Sequence, residues 1–154
     1  MAREKEEQRV NDLLKSVYQN MPAYKEIKDR IEKSSADVSL YLSLVHSLIE
    51  MKNYVMANLF SKIADILLLL KELSIDLEND IVKIPILLLE AFTEGDLKKI
   101  GEALDYSKRV ERAIKSLSIS NDSPKLKQLY DEIKEVREII EEIVNDLFLQ
   151  PEVK

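Results

Sequence analysis

His46 is the only histidine in the chain, and there is no cysteine. A metal centre built on several imidazoles or thiolates is therefore excluded, as are a disulfide framework and a cysteine nucleophile. His46 lies in the apolar run Leu44-Val45-His46-Ser47-Leu48, which predicts a histidine at the edge of a helix interface. No glycine-rich oxyanion loop accompanies it that would serve a serine nucleophile. Gly95 and Gly101 stand alone, so no phosphate-cradling loop is present. Carboxylates are abundant, and Glu138, Glu141 and Glu142 share one side of a helix. A magnesium-dependent helical hydrolase would aim such glutamates inward. Here they flank an apolar seam, which predicts a solvated face, because buried ionised carboxylates are costly without a cation. No catalytic residue, metal ligand or cofactor site is expected, and the chain reads as a non-enzyme.

The remaining cluster is basic: Lys98, Lys99, Lys108, Arg109, Arg112 and Lys115. At 3.6 residues per turn, Lys108, Arg112 and Lys115 share one side of a helix. Such a face either touches the backbone of DNA or a nucleotide, with Arg109 beside it, or pairs with acidic residues of the last helix or a partner. Tyr106 is the only aromatic nearby, which is little for stacking bases. A net charge of −6 argues against a protein that coats nucleic acid, whose affinity comes from neutralising phosphates.

The elements that hold these residues are helices. Two glycines and four prolines in 154 residues leave too little punctuation for sheets and hairpins. The length suits one domain with a core of its own. A first helix is expected from about Arg3 to Asn20, with Val10, Leu13, Leu14, Val17, Tyr18 and Met21 as its stripe. Pro22 stops it and suits the first turn of a second helix bearing Tyr24, Ile27 and Ile31. Ser34-Ser35-Ala36-Asp37 offers capping side chains. From Ala36 to Leu73 no glycine or proline appears. The spacing predicts one very long helix, or two broken near Lys52-Asn53. Ile66–Leu70 and Ile81–Phe92 are apolar nearly all round, yet shorter than the roughly 20 residues a bilayer needs. They must be covered by the core or by a partner, and no membrane is expected. Pro85 starts or kinks the helix in the second run. Thr93 is expected to cap the following helix, which carries the basic cluster to about Leu117, with Asp96 near its positive end.

Ser118–Pro124 reads as a linker, with Ser123 as N-cap and Pro124 in the first turn. In the last helix Leu126, Leu129, Ile133, Val136, Ile140, Ile143 and Leu147 alternate spacings of three and four, the pattern of a coiled-coil seam. Asp131, Glu132, Glu135, Glu138, Glu141, Glu142 and Asp146 occupy its other faces. The seam docks on the other helices or on a helix of another chain. The expected architecture is an all-α bundle of five to seven helices with a long central helix. Its bundle covers residues 1–117, its linker 118–124, and a C-terminal amphipathic helix 125–154. The charged opening Met1-Ala2-Arg3-Glu4-Lys5 carries no secretory pattern, and the lack of cysteine suits a reducing cytoplasm.

Leu13-Leu14 followed by Met21-Pro22-Ala23-Tyr24 forms a helix, a proline turn and a second helix with an aromatic. His46-Ser47-Leu48-Ile49 through Asn53, Leu59-Phe60, Ile63 and Ile66 marks the long central stretch, and Ile84-Pro85 then Thr93-Glu94 opens two more helices. This order resembles the helical domain of GINS complex subunits, of the type whose helical domain comes first, over roughly residues 8–117. The small β domain common in that family has no counterpart, since 118–154 reads as linker and helix. The resemblance implies a scaffold subunit of a DNA replication complex, archaeal in type, which joins other subunits in a hetero-oligomer and binds and helps activate the replicative helicase. It further implies subunit interfaces at Phe60, Leu67, Leu70, Leu88 and Phe92. In size, helical content and lack of cysteine the chain also resembles a non-catalytic accessory subunit of an archaeal-type primase. That resemblance implies partner primase subunits and contact with nucleotide or template through Lys108, Arg109, Arg112 and Lys115.

Overall fold

A computed structural model describes residues 12–34, 37–120 and 123–149, and side chains as far as Asp146. The described residues form an all-α bundle: α1 (12–19), α2 (Met21–Lys33), α3 (Val38–Glu50), α4 (Tyr54–Leu73), α5 (Glu78–Glu94), α6 (Lys98–Ser120) and α7 (Pro124–Leu149). No strand occurs among them. The expected start of the first helix at Arg3, with Val10 in its stripe, lies outside the described residues. None of the described helices is long and apolar enough to cross a membrane.

The long central stretch is two helices. Its break falls at Met51-Lys52-Asn53, where Asn53 caps α4 by accepting from the N–H of Met56 (3.1 Å). The end of α3 is a Schellman turn: Lys52 N–H donates to Ile49 O (2.9 Å) and Asn53 N–H to Leu48 O (2.9 Å). Lys52 takes the left-handed conformation, φ 61°, that glycine usually fills there. α4 ends the same way, with Ser74 at φ 56° and the N–H of Ile75 on Leu70 O. Neither end carries a glycine, and the break near Lys52-Asn53, one of the two alternatives the spacing left open, is the one realised.

Several other ends follow expectation. Pro22 sits in the first turn of α2, Asp37 caps α3 by accepting from Ser39 N–H (3.0 Å), and the N–H of Leu126 donates to Ser123 Oγ (3.4 Å) at the start of α7. Three do not. Thr93 lies within α5 and donates to Leu89 O, whereas Asp96 caps α6 by accepting from Lys98 N–H. Gly95, at φ 74°, ends α5. The last turn of α6 extends to Ser120, taking in the start of the expected linker. Pro85 lies inside its helix rather than at its start, since α5 begins seven residues earlier at Glu78.

α4 is the axis of the bundle. It packs on α3, α5 and α7, and up to its last turn only a narrow stripe through Tyr54, Asn58, Asp65 and Leu68 is exposed. α5 packs on α6 and α6 on α7, each pair joined by a short connection, while α2 packs on α5. α7 returns along α4, so the sheath closes around Phe60, Ile63, Ile66, Leu67 and Leu70, each fully buried. This is the cover that the all-round apolar runs required.

Candidate docking surfaces

The apolar residues expected at subunit interfaces are core. Phe60, Leu67, Leu70 and Leu88 are fully buried within the single chain, and Phe92 is nearly so. The seam is likewise inside: Leu129, Ile133, Val136 and Ile140 are fully buried and Leu126 and Ile143 almost so, against α4 and α6. The chain's own helices cover both sets, so none of these side chains meets a partner without an element being displaced. Leu147 lies outside the residues whose side chains are described.

The acids beside the seam depart from the expected solvated face. Asp131, Glu135 and Glu138 are exposed, Glu132, Glu141 and Glu142 are half-buried, and Asp146 is buried. Burial raises the carboxyl of Glu132 above its ordinary range. Lys62 opposes that rise, while Asp65 and Glu135 add to it. Lys62 also pairs with Glu135, tying α7 to α4. Arg137 on α7 binds Glu111 of α6 and Glu141 of its own helix. On the far side of the bundle, Lys28 (2.9 Å) and Lys99 (3.1 Å) converge on Glu90 and join α2, α5 and α6. Burial alone would raise the Glu90 carboxyl, but the hydrogen bonds from both lysines bring it below its usual value.

That network takes Lys99 out of the basic cluster. The rest of the cluster divides by position on α6. Arg109 lies over the Tyr106 ring, 4.7 Å from its centre, and Lys83 of α5 approaches the same ring at 5.4 Å. Lys108, half-buried, and Arg112 and Lys115, both exposed, make no ion pair among the described residues. The stripe could have paired with acids of the last helix, but among the described residues it does not: Glu141 is held by Arg137 and Glu135 by Lys62.

A buried polar chain, which the sequence does not announce, links α1, α2 and the α3–α4 turn. Asn53 Nδ2 donates to Tyr24 Oη (2.7 Å), and Ser16 Oγ donates to Met51 O (2.8 Å). Ser16 has one hydroxyl proton, so in the remaining contact (2.9 Å) Tyr24 is the donor and Ser16 the acceptor. Every donor then points one way along the chain. All three side chains are buried, and burial raises the Tyr24 hydroxyl pKa against the lowering effect of its two partners. Tyr41, buried against Phe60, has no partner for its hydroxyl among the described residues, and burial raises its pKa.

The outer side of α3 is the largest departure from expectation. From Val38 to Ile49 the helix has no charged residue, in a chain that is 34% charged. It buries Leu40, Tyr41, Leu44 and Leu48. A second apolar stripe lies beside that face: Val38 and Val45 are half-buried, Leu42 is 50% exposed and Ile49 45% exposed. Ser39, Ser43 and His46 complete the exposed side. His46 thus sits on an open surface, and no group of three potential metal ligands occurs among the described residues. Large apolar side chains clustered on a neutral, open helix face are what a docking surface presents.

Comparison with known proteins gives no relative: no family model, curated protein or solved structure matches the chain.

Proposed function

We propose that this chain is a non-enzymatic subunit of a protein assembly and that it docks through the outer face of α3. One observation carries the reading: a helix uncharged from Val38 to Ile49 leaves two large aliphatic side chains, Leu42 and Ile49, half in water. Exposing such groups is unfavourable by roughly 25 cal/mol per Å² of apolar surface, so a surface that clusters them gains by being covered. The resemblance to the GINS helical domain supplies the finer reading: a cytoplasmic scaffold of a DNA replication complex that binds the replicative helicase and helps activate it. α3 belongs to the central stretch on which that resemblance rests.

A tagged pull-down from native cells, with mass spectrometry of the co-purifying proteins, tests this. The wild-type chain should recover a second GINS-like subunit and the replicative helicase. A Leu42→Asp, Ile49→Asp double variant, still helical by circular dichroism, should lose them at least tenfold. Recovery unchanged by the double variant would rule out this face as the docking surface. Recovery of primase subunits in place of helicase would overturn the helicase scaffold.

The unpaired stripe Lys108, Arg112 and Lys115 favours a second reading, an accessory subunit of a primase that holds template or nucleotide. Three phosphate contacts to a single strand give a salt slope near −2, from about −0.7 per contact. Under this reading, Lys108→Glu, Arg112→Glu, Lys115→Glu should abolish that slope and most of the affinity for a single-stranded oligonucleotide. Equal affinities before and after would rule the reading out.

A further inference from the structure

We infer that the contact between α4 and α7 is a proton-sensitive clasp: Asp65 and Glu132 face one another across it, share one proton when the helices close, and loosen α7 when that proton leaves.

The argument starts from register. Lys62 of α4 pairs with Glu135 of α7, and Glu72 of α4 with Lys125 of α7 (2.9 Å). Ten residues forward on α4 are thus ten residues back on α7, so the two helices run antiparallel in one register. That register sets Asp65, three residues after Lys62, opposite Glu132, three residues before Glu135. Two rungs of the ladder join opposite charges, and the rung between them joins two acids. Carboxylates facing one another at close range cannot both ionise without cost.

The surroundings supply little to offset that cost. From α4, Lys62 is the cation that acts on Glu132, and Glu135 already engages it. From α7, Glu135 adds negative charge. α3 also packs on α4 and has no charged residue from Val38 to Ile49. α6 meets α7 through Glu111, which Arg137 holds together with Glu141. The charged groups of α5 form no ion pair with α4 or α7 among the described residues, and its Glu90 and Glu94 are held by Lys28 and Lys99. Glu132 Oε2 is sealed from water and has no hydrogen-bond partner among the described residues. A carboxylate only accepts, and so does the carboxylate opposite. A proton on one makes it a donor to the other. The rung adjoins Ile133 of the buried seam, so repulsion there acts on the packing of α7 against α4.

Burial, with Asp65 and Glu135, raises the Glu132 carboxyl above its ordinary 4.5, against the opposing effect of Lys62. Between 4.5 and the raised value the folded chain holds a proton that the unfolded chain has released. The stability this pair confers is therefore greatest in acid and falls as pH rises through that window. Glu90, whose carboxyl is lowered, has the opposite dependence. The clasp is thus read as a difference between variants rather than from one curve.

Two measurements on the full chain test this. Carbon NMR of the side-chain carboxyls should show Glu132 titrating above 4.5, and Asp65→Asn should bring it down. Urea unfolding from about pH 4 to about pH 8 should give Glu132→Gln the wild-type midpoint at the acid end and a higher one at the alkaline end. Its melting temperature there should exceed wild type by about 2–4 °C. Asp65→Asn should show the same crossover, and Glu132→Gln added to it should gain little more, since either change removes the like-charge pair. Glu138→Gln, at an exposed position of the same helix, should track wild type throughout. A Glu132 carboxyl that titrates at or below its ordinary value overturns the inference, as does a Glu132→Gln difference, gain or loss, that is the same at both ends of the range.

Discussion

Ile133→Ala is expected to lower the stability of the folded chain by about 2–5 kcal/mol and its melting temperature by roughly 10 °C. Ile133 is fully buried in the seam where α7 meets α4 and α6. Truncation removes buried methylene and methyl groups and leaves a cavity that three packed helices cannot readily close. Ile140, two turns further along the same seam and also fully buried, should behave alike. The two sites lie about 10 Å apart along the helix, so the losses should nearly add. Urea unfolding followed by circular dichroism measures both. A seam that packed on another chain instead would show a different result: melting within about 2 °C of wild type, with only the association state changed.

Asn53→Ala should cost about 2–3 kcal/mol, more than a cap alone. The side chain does two jobs from one position. Its oxygen caps α4 at the N–H of Met56, a contribution of about 0.5–2 kcal/mol. Its nitrogen donates to Tyr24 Oη, which is fully buried and loses an interaction when that donor goes. Tyr24→Phe removes the other end of the same bond. In a double-mutant cycle the pair should show coupling of about 1 kcal/mol, because the single variants each lose a bond that the double variant can lose only once. Coupling near zero would show that Asn53 acts through its cap alone and that the chain Asn53–Tyr24–Ser16–Met51 adds nothing to stability. The position also matters for geometry: Lys52, in the strained left-handed turn just before Asn53, sets the direction in which α4 leaves α3.

The sequence determined the all-α class and most of the helices, because scarce glycine and proline and a 3.6-residue apolar period are properties of the chain read locally. Pro22, Asp37, Asn53 and Ser123 act where a local rule places them, each within a few residues of the backbone group it serves. The same locality explains the misses. The spacing left open one long helix or two broken near Lys52-Asn53, and the left-handed turn at Lys52, which its residue type does not advertise, is what chose the second. Thr93 and Asp96 both had the chemistry of a cap, and the longer reach of α5 decided between them. The polar chain joins Ser16, Tyr24 and Asn53, which become neighbours only when α1, α2 and the α3–α4 turn meet.

The sharpest case is a pair of stripes with one pattern. Val38, Leu42, Val45 and Ile49 have the same three-and-four spacing as Leu126, Leu129, Ile133 and Val136. The second set is buried between α4 and α6, whereas the first lies half open at the edge of the bundle. Periodicity tells which side of a helix is apolar relative to its own axis. It holds no information about whether another helix arrives there. Only the tertiary structure decided that the seam of α7 is core and the outer stripe of α3 is surface, because burial is a relation between elements and the pattern belongs to one.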